Sequence, residues 1–444
     1  MATASTSDLS LGVHVGRLHV PHAHMAAVKA ALAAEGRAGR PWLRQNGVRS
    51  TPDVLHVHLT VEGATCVVSG RNIPPPIQAL LEANQIRWEP GVRPPPATPL
   101  APPPPPPPGA AFTFAELFAG IGGFRIGLEA LGGHCVFASE LDPHAAATYE
   151  ANFGAPPDAG DITEVPSDAF PAHDLLVGGF PCQPFATAGE RRALADPRGQ
   201  LYLEVCRVLC VRKPAAFLLE NVAALYTMGG GTFAPEYADR TPGAVVQTIV
   251  RAFEACGYTV SVRIVGAHQF GVPQFRDRLY FVGFLDAARA SRFVWPEGTT
   301  EHDHLRCEPN VRSVLEPPDS VAVAAAALSA AQRAKVAKGL ADGSRVARLD
   351  GRARTLIANY RHGWHRDSEF VVDGSGVRFY TCREALRLMG FPESWAVGGW
   401  PNGDRGGKAL EAYQRSYRQI GNAVCPPVIT AIAREVMRAA GFCS

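Results

Sequence analysis

The chain carries almost no excess of charge of either sign. Against 43 Lys and Arg stand 41 Asp and Glu, a net of +2 over 444 residues. Total charge therefore says nothing for or against nucleic acid, and only local clusters bear on it. The ten cysteines include no C-x-x-C pair, which removes the commonest zinc and thioredoxin-type spacings. Cys206 and Cys210 lie one helical turn apart, which suits a packed helix face. Such scattered cysteines favour a reducing, intracellular compartment. No apolar run approaches the ~18 residues that span a bilayer, and Met1 to Ser10 lack the charged-then-apolar plan of a secretory signal. The expectation is an intracellular protein with no membrane partner, placed in the nucleus of a eukaryote or the cytoplasm and nucleoid of a bacterium.

What is present is a long chain with an apolar share of 46%, enough for two or three domains and a sizeable core. Residues 1–93 read as a small α+β module. Gly12 to Val20 and Val54 to Val61 alternate as strands do, while Ala26 to Ala34 and Ile77 to Ile86 suit helices. His14, His19, His22, His24, His56 and His58 crowd this module. No cysteine or carboxylate stands at ligand spacing, so solvated or strand-face histidines are the expectation and a metal is not. Its ligand is not legible. Pro94 to Pro108 contains eleven prolines in fifteen residues, a semi-rigid polyproline spacer of up to about 45 Å. The linker spans 94–110.

After the linker, Phe112 to Leu131 reads as strand, glycine turn and amphipathic helix. Its glycines, Gly120, Gly122 and Gly123, let a ligand approach the backbone closely. They do not spell G-x-G-x-x-G, so a dinucleotide is not the natural ligand. The next strand, Cys135 to Ser139, ends at Glu140, where a carboxylate suits ribose hydroxyls. Gly160-Asp161-Ile162 precedes Asp174 to Gly179, a buried parallel strand that Pro181 and Pro184 terminate. Cys182 then lies in a loop beyond a strand end, where open α/β sheets place their ligands. Ala216 to Val222 is another buried strand and ends in Glu220 and Asn221. Gln274, Arg276 and Arg278 alternate, which puts all three on one side of an extended segment. From Gly343 to Arg378, seven arginines face four acids, interleaved with Tyr360, His362, Trp364 and His365. Basic residues among aromatics are the footprint of a nucleic-acid surface, though a solvated charged face looks similar. An Ala-rich helix is expected over Val321 to Leu340, a helix over Arg383 to Gly390, and a last one from Pro426.

From about Phe112 to the C-terminus the chain resembles the DNA (cytosine-5) methyltransferase family. The residues that carry the resemblance are Phe-Ala-Gly-Ile-Gly-Gly (118–123), Pro-Cys-Gln (181–183), Glu-Asn-Val (220–222), Gln-x-Arg-x-Arg (274–278), Arg-Glu-Ala-Leu-Arg-Leu-Met-Gly-Phe-Pro (383–392) and Gly-Asn-Ala-Val (421–424). One departure is Ala186, where the family usually has serine. The resemblance implies a Rossmann-like domain in two parts, 111–284 and 377–444, that takes S-adenosylmethionine and acts on cytosine. A small target-recognition domain over 285–376 would lie between them.

It further implies Cys182 as nucleophile, Glu220 as the group that protonates or hydrogen-bonds cytosine N3, Arg278 as the residue that holds the cytosine or its adduct, and Arg276 as support for the site. Phe118, Gly120, Gly122, Gly123, Glu140, Leu141, Asp161, Ile162, Pro181 and Asn422 match donor-pocket positions. Gln183, Asn221, Gln274, Thr355 and Leu356 match positions on the nucleic-acid side. The implied partner is double-stranded DNA, bound by a monomer with the cytosine flipped out, and the N-terminal module is left for an unknown partner. The same chemistry on tRNA, and an inactive DNA-binding regulator, are the rival readings.

Overall fold

The computed structural model describes residues 109–181, 201–232, 241–298, 310–361, 368–397 and 407–442, together with four N-terminal strands by their backbone. These strands are β1 (His14–His19), β2 (His56–Leu59), β3 (Thr65–Gly70) and β4 (Trp88–Pro90). They form an antiparallel sheet in the order β2-β3-β1-β4. The expected strands at 12–20 and 54–61 are β1 and β2, whereas β3 and β4 were not anticipated. The helices expected at 26–34 and 77–86 lie outside the described residues.

The larger sheet has six strands in the order β6-β5-β7-β8-β10-β9. They are β5 (Phe112–Leu117), β6 (Gly133–Ser139), β7 (Leu175–Gly179), β8 (Ala216–Val222), β9 (Thr259–Gly266) and β10 (Asp277–Phe284). β5, β7 and β8 are near-continuous apolar runs, because a parallel sheet covered on both faces offers no solvent side. Phe114, Leu175, Leu176, Val177, Leu218 and Leu219 are accordingly fully buried. β6, β5, β7 and β8 run parallel, and the chain steps from β5 to β6 on one side and then to β7 on the other. That reversal opens a crevice beyond the carboxyl ends of β5 and β7. β10 runs antiparallel to both β8 and β9, so its first residues lie beside the last residues of β8.

The helices among the described residues include α1 (Gly123–Glu129), α2 (Pro143–Phe153), α3 (Leu201–Arg212), α4 (Ala244–Ala255), α5 (Val321–Ala326), α6 (Ala330–Ala341), α7 (Cys382–Leu388), α8 (Gly407–Asn422) and α9 (Pro426–Ala440). α9 packs against α1 with little room to spare. A Cβ on Gly127 would lie 2.9 Å from Ile429, and one on Gly123 2.7 Å from Val424. The helix expected over 321–340 is in fact two. Ser329 caps α6 in a reciprocal capping box with Gln332, and that local bond outweighs the helix propensity of the alanines before it. The last two expected helices are α7 and α9, α9 with prolines in its first turn where their missing N–H costs nothing.

In the sheet core a Cβ on Gly178 would sit 2.6 Å from the Leu117 carbonyl oxygen of β5. Backbone in a paired strand cannot retreat. Gly178→Ala should therefore lower stability by about 1–3 kcal/mol. Gly160→Ala, whose nearest neighbour is 4.0 Å away, should stay within about 0.5 kcal/mol. Urea unfolding midpoints of the two variants check this.

Candidate active site

The antiparallel register sets Tyr280 opposite Glu220 and Arg278 opposite Val222. Residues two apart on a strand share a face, so Arg278 is the diagonal neighbour of Glu220. Its Nε lies 3.1 Å from Glu220 Oε1, and a second donor, Nη1, bonds the Asp277 carbonyl at 2.8 Å. Burial pushes the Glu220 carboxyl up from its usual range, against the opposing pull of Arg278 and then Arg276. Desolvation wins over the ion pair, so Glu220 holds a proton more readily than an ordinary glutamate. Sign follows from that: its folded state is favoured below the unfolded pKa, and that advantage is lost as pH rises through the raised one.

Gly179 of β7 pairs with Glu220, and a Cβ there would lie 3.3 Å from Glu220 Oε2. The glycine thus lets the carboxylate lie close over the β7 end. Asn221 is buried, and its Nδ2 donates to the Phe180 carbonyl at 3.0 Å while its Oδ1 accepts from Val222 N at 2.9 Å. Asn221 therefore fixes the segment Phe180–Pro181 that leads to Cys182. Cys182 and Gln183 themselves lie outside the described residues.

The expected row of Gln274, Arg276 and Arg278 is corrected. β10 begins only at Asp277, so the three do not share one strand's alternation. Gln274 is fully buried, donating to the Leu388 carbonyl at 2.9 Å and accepting from Leu356 N at 2.8 Å. Arg276 is buried too. It donates to the carbonyls of Leu356 at 3.0 Å and of Gly421 and Ala423 at 2.8 Å each. Burial, with Arg278 beside it, lowers its pKa to about 10, which leaves it charged at neutral pH. Gln274, Arg276 and the buried Leu356 are clamps that act through the main chain. Thr355 is exposed, and its hydroxyl donates to the Phe275 carbonyl at 2.6 Å.

At the other end of the crevice, β5 leads into Phe118, whose φ of 56° is left-handed. Such a φ is uncommon without glycine, and it persists where surroundings over-determine it. Gly120 follows at φ 57° with nothing within 4 Å of its Cβ position. Glu140 binds this turn: Oε2 accepts from Gly120 N at 2.7 Å and Oε1 from Asp142 N at 2.8 Å. Burial raises its pKa, while the Asp142 and Gly120 amides pull it back. Leu141 beside it is 69% exposed. Gly122 is held close to Phe153, and Gly123 abuts Val424.

Asp161 lies in the segment between β6 and β7. Only a single bridge, Ser139 to Ala159, extends the pairing there. Asp161 instead caps a 3-10 turn, its Oδ1 accepting from Thr163 N and Oγ1. It nonetheless lies near Glu140, whose amide bonds the Ala159 carbonyl at 3.0 Å. Ile162 is buried, and its carbonyl accepts from Arg207 at 2.8 Å. Asn422 is exposed between the two carbonyls that Arg276 grips. An open glycine turn, a pinned carboxylate and exposed apolar surface fit a nucleoside-bearing donor.

Sequence reasoning missed two supports. Arg207 of α3 ties the Ile162 and Val165 carbonyls, each at 2.8 Å; an arginine inside the apolar run Val-Cys-Arg-Val-Leu was its signal. Glu116 of β5 is fully buried, and no side chain among the described residues hydrogen-bonds its carboxylate. A charge inside a core strand was the signal there.

Comparison with known proteins follows the same residues. The family model described as C-5 cytosine-specific DNA methylase matches residues 112–438. A type II methyltransferase of Neisseria lactamica, M.NlaX, is 38% identical over 335 residues, covering 74% of this chain and 97% of its own. M.HpaII of Haemophilus parainfluenzae is 34% identical over 354 residues, with 74% and 90% covered. Among solved structures, the S. pombe Dnmt2 methyltransferase matches with a TM-score of 0.55 at 20% identity, over 74% of this chain and 98% of that one. That last likeness bears on fold.

Burial, opposed by Arg125, raises the Glu116 carboxyl from 4.5 to about 8. A folded pKa above the unfolded one gives stability that is complete below about 4.5 and lost as pH climbs through about 8. Glu116→Gln should remove that loss. Urea midpoints should show variant and wild type close at about pH 5 and the variant ahead at about pH 9; a gap that does not change with pH contradicts the assignment.

Proposed function

The chain belongs to the C-5 cytosine-specific DNA methylase family, and on that premise we propose that Cys182, Glu220 and Arg278 carry its transfer of a methyl group from S-adenosylmethionine to carbon 5 of cytosine in DNA. The observation behind this is the Glu220–Arg278 ion pair at the end of β8, with Gly179 of β7 beside Glu220. Relatives named as type II methyltransferases favour DNA over tRNA and an active enzyme over an inert regulator.

Carbon 5 of cytosine is a weak nucleophile. The Cys182 thiolate adds to carbon 6, forming a sulfur–carbon bond and pushing the ring's electron pair toward N3. Glu220, kept protonated more readily by burial, donates at N3 and stabilises the enamine that results. Bound S-adenosylmethionine supplies the electrophilic methyl sulfonium. A base then removes the carbon 5 proton, the electrons restore the ring double bond, and the thiolate leaves carbon 6. Arg278 orients Glu220 throughout and faces the flipped base.

Glu140, held by two backbone amides, has lone pairs left for ribose hydroxyls. Leu141 and Phe118 offer apolar surface to the adenine, while Asp161, Ile162, Pro181 and Asn422 complete the donor's walls. Thr355 faces the nucleic acid, and Gln183 is assigned to the same contact by its place in the motif alone. Residues 285–376 read the target sequence, 111–284 and 377–444 do the chemistry, and 1–93 is a separate module behind the 94–110 linker that engages a partner of its own. No helix among the described residues is long and apolar enough to cross a membrane. The enzyme works as a monomer on the cell's DNA.

Duplexes carrying 5-fluorocytosine at the target trap the adduct, because fluorine cannot leave as a proton. The wild type should form a denaturant-resistant complex whose mass spectrum maps the bond to Cys182. Cys182→Ala should form none and lose turnover, with donor affinity within about threefold. Absence of an adduct with active wild-type enzyme would sink the thiolate mechanism.

A further inference from the structure

Between Gln274 and Arg276, both buried, stands Phe275, whose side chain is 50% exposed. A single exposed apolar residue is ordinary. This one is held out on purpose-built main chain. Its N–H donates to the Ala353 carbonyl at 2.8 Å, and its own carbonyl accepts from the Thr355 hydroxyl at 2.6 Å. Gln274 and Ala353 form a parallel bridge alongside. The ring therefore projects from a ridge that joins the catalytic β10 to the segment 353–355, and both bonds hold the main chain that carries it.

Its neighbours are chosen for a charged, flat partner. The Arg352 guanidinium lies 5.9 Å from the ring centroid, and the His268 ring lies 5.1 Å away at 59°. Arg354 is exposed two residues on. Among the described residues, two acids are at hand: Asp277 has its carboxylate near the Cα of Gly266, where a Cβ would meet it at 3.0 Å, and Glu369 accepts from the Arg354 amide at 3.0 Å. Along extended chain, Phe275 stands about 10 Å from Arg278. A nucleotide adjoining a flipped base loses its stacking neighbour and lies within that reach.

We propose that Phe275 is a stacking residue for the nucleotide flanking the flipped cytosine, with Arg352 neutralising that nucleotide's phosphate. This rests on the reading that the cytosine docks at Glu220 and Arg278. Every base has an apolar face, so such a platform adds affinity and position without reading sequence.

The test measures binding of the full chain to its target duplex by fluorescence anisotropy across a salt series, with donor affinity by calorimetry. Phe275→Ala should weaken DNA binding between about fivefold and a hundredfold, leave donor affinity within about twofold, and be rescued by Phe275→Trp. Arg352→Gln should make the slope of log affinity against log salt shallower by about 0.9. A merely structural ring would weaken donor and DNA together and gain nothing from tryptophan; that result overturns the proposal. So does wild-type DNA affinity in Phe275→Ala. Failure of the docking reading itself would show differently, as wild-type enzyme that binds duplex and forms no adduct with 5-fluorocytosine.

Discussion

A parallel sheet aligns carboxyl ends with carboxyl ends, and a parallel β10 would have carried Arg278 to the far edge from Glu220. The reversal of β10 removes that separation. Because its first residues run beside the last ones of β8, an arginine and a glutamate 58 positions apart in the chain become diagonal neighbours. The pair is not a stability device. Buried ion pairs rarely repay the desolvation of both partners, and here burial still holds the glutamate toward its neutral form. What the arrangement provides is a carboxyl that burial biases toward its protonated form and that a cation orients, at the end of β8.

The remaining parts of the site depend on how neighbouring backbone is held. Arg276 gathers three carbonyls, that of Leu356 and those of Gly421 and Ala423 before α9. The chain before α9 abuts Gly123 through Val424, so one guanidinium connects the base-handling end with the glycine turn. Glu140 and Arg207 do the same for the donor end, binding amides and carbonyls of the loops that form its walls. The chemistry is thus supported by side chains that touch backbone more than substrate.

Strands and their order of residue types were legible because burial on both faces leaves unmistakable apolar runs, and because the motifs at their ends occur in sequence. Less legible was which polar residue faces outward. Gln274, Arg276 and Arg278 alternate in the sequence, yet the first two precede the strand and are consumed by main-chain bonds that join them to residues 356 to 423. No local pattern encodes partners 80 or more positions away. The same holds for Phe275, hidden in a motif whose polar members draw the eye. Ser329 shows the reverse case: its capping box with Gln332 was present in the sequence, but the run of alanines concealed the break.

The central claim is that burial, against the pull of Arg278, biases Glu220 toward its protonated form. Infrared difference spectroscopy of the carboxyl C=O stretch, wild type minus Glu220→Gln, reads this directly as pH is varied. The account predicts a protonated-carboxyl band, missing from the variant, that persists above the ordinary glutamate pKa of about 4.3. A band that titrates away at or below that value would show Arg278 prevailing over burial, and would remove Glu220 as the proton source for cytosine N3.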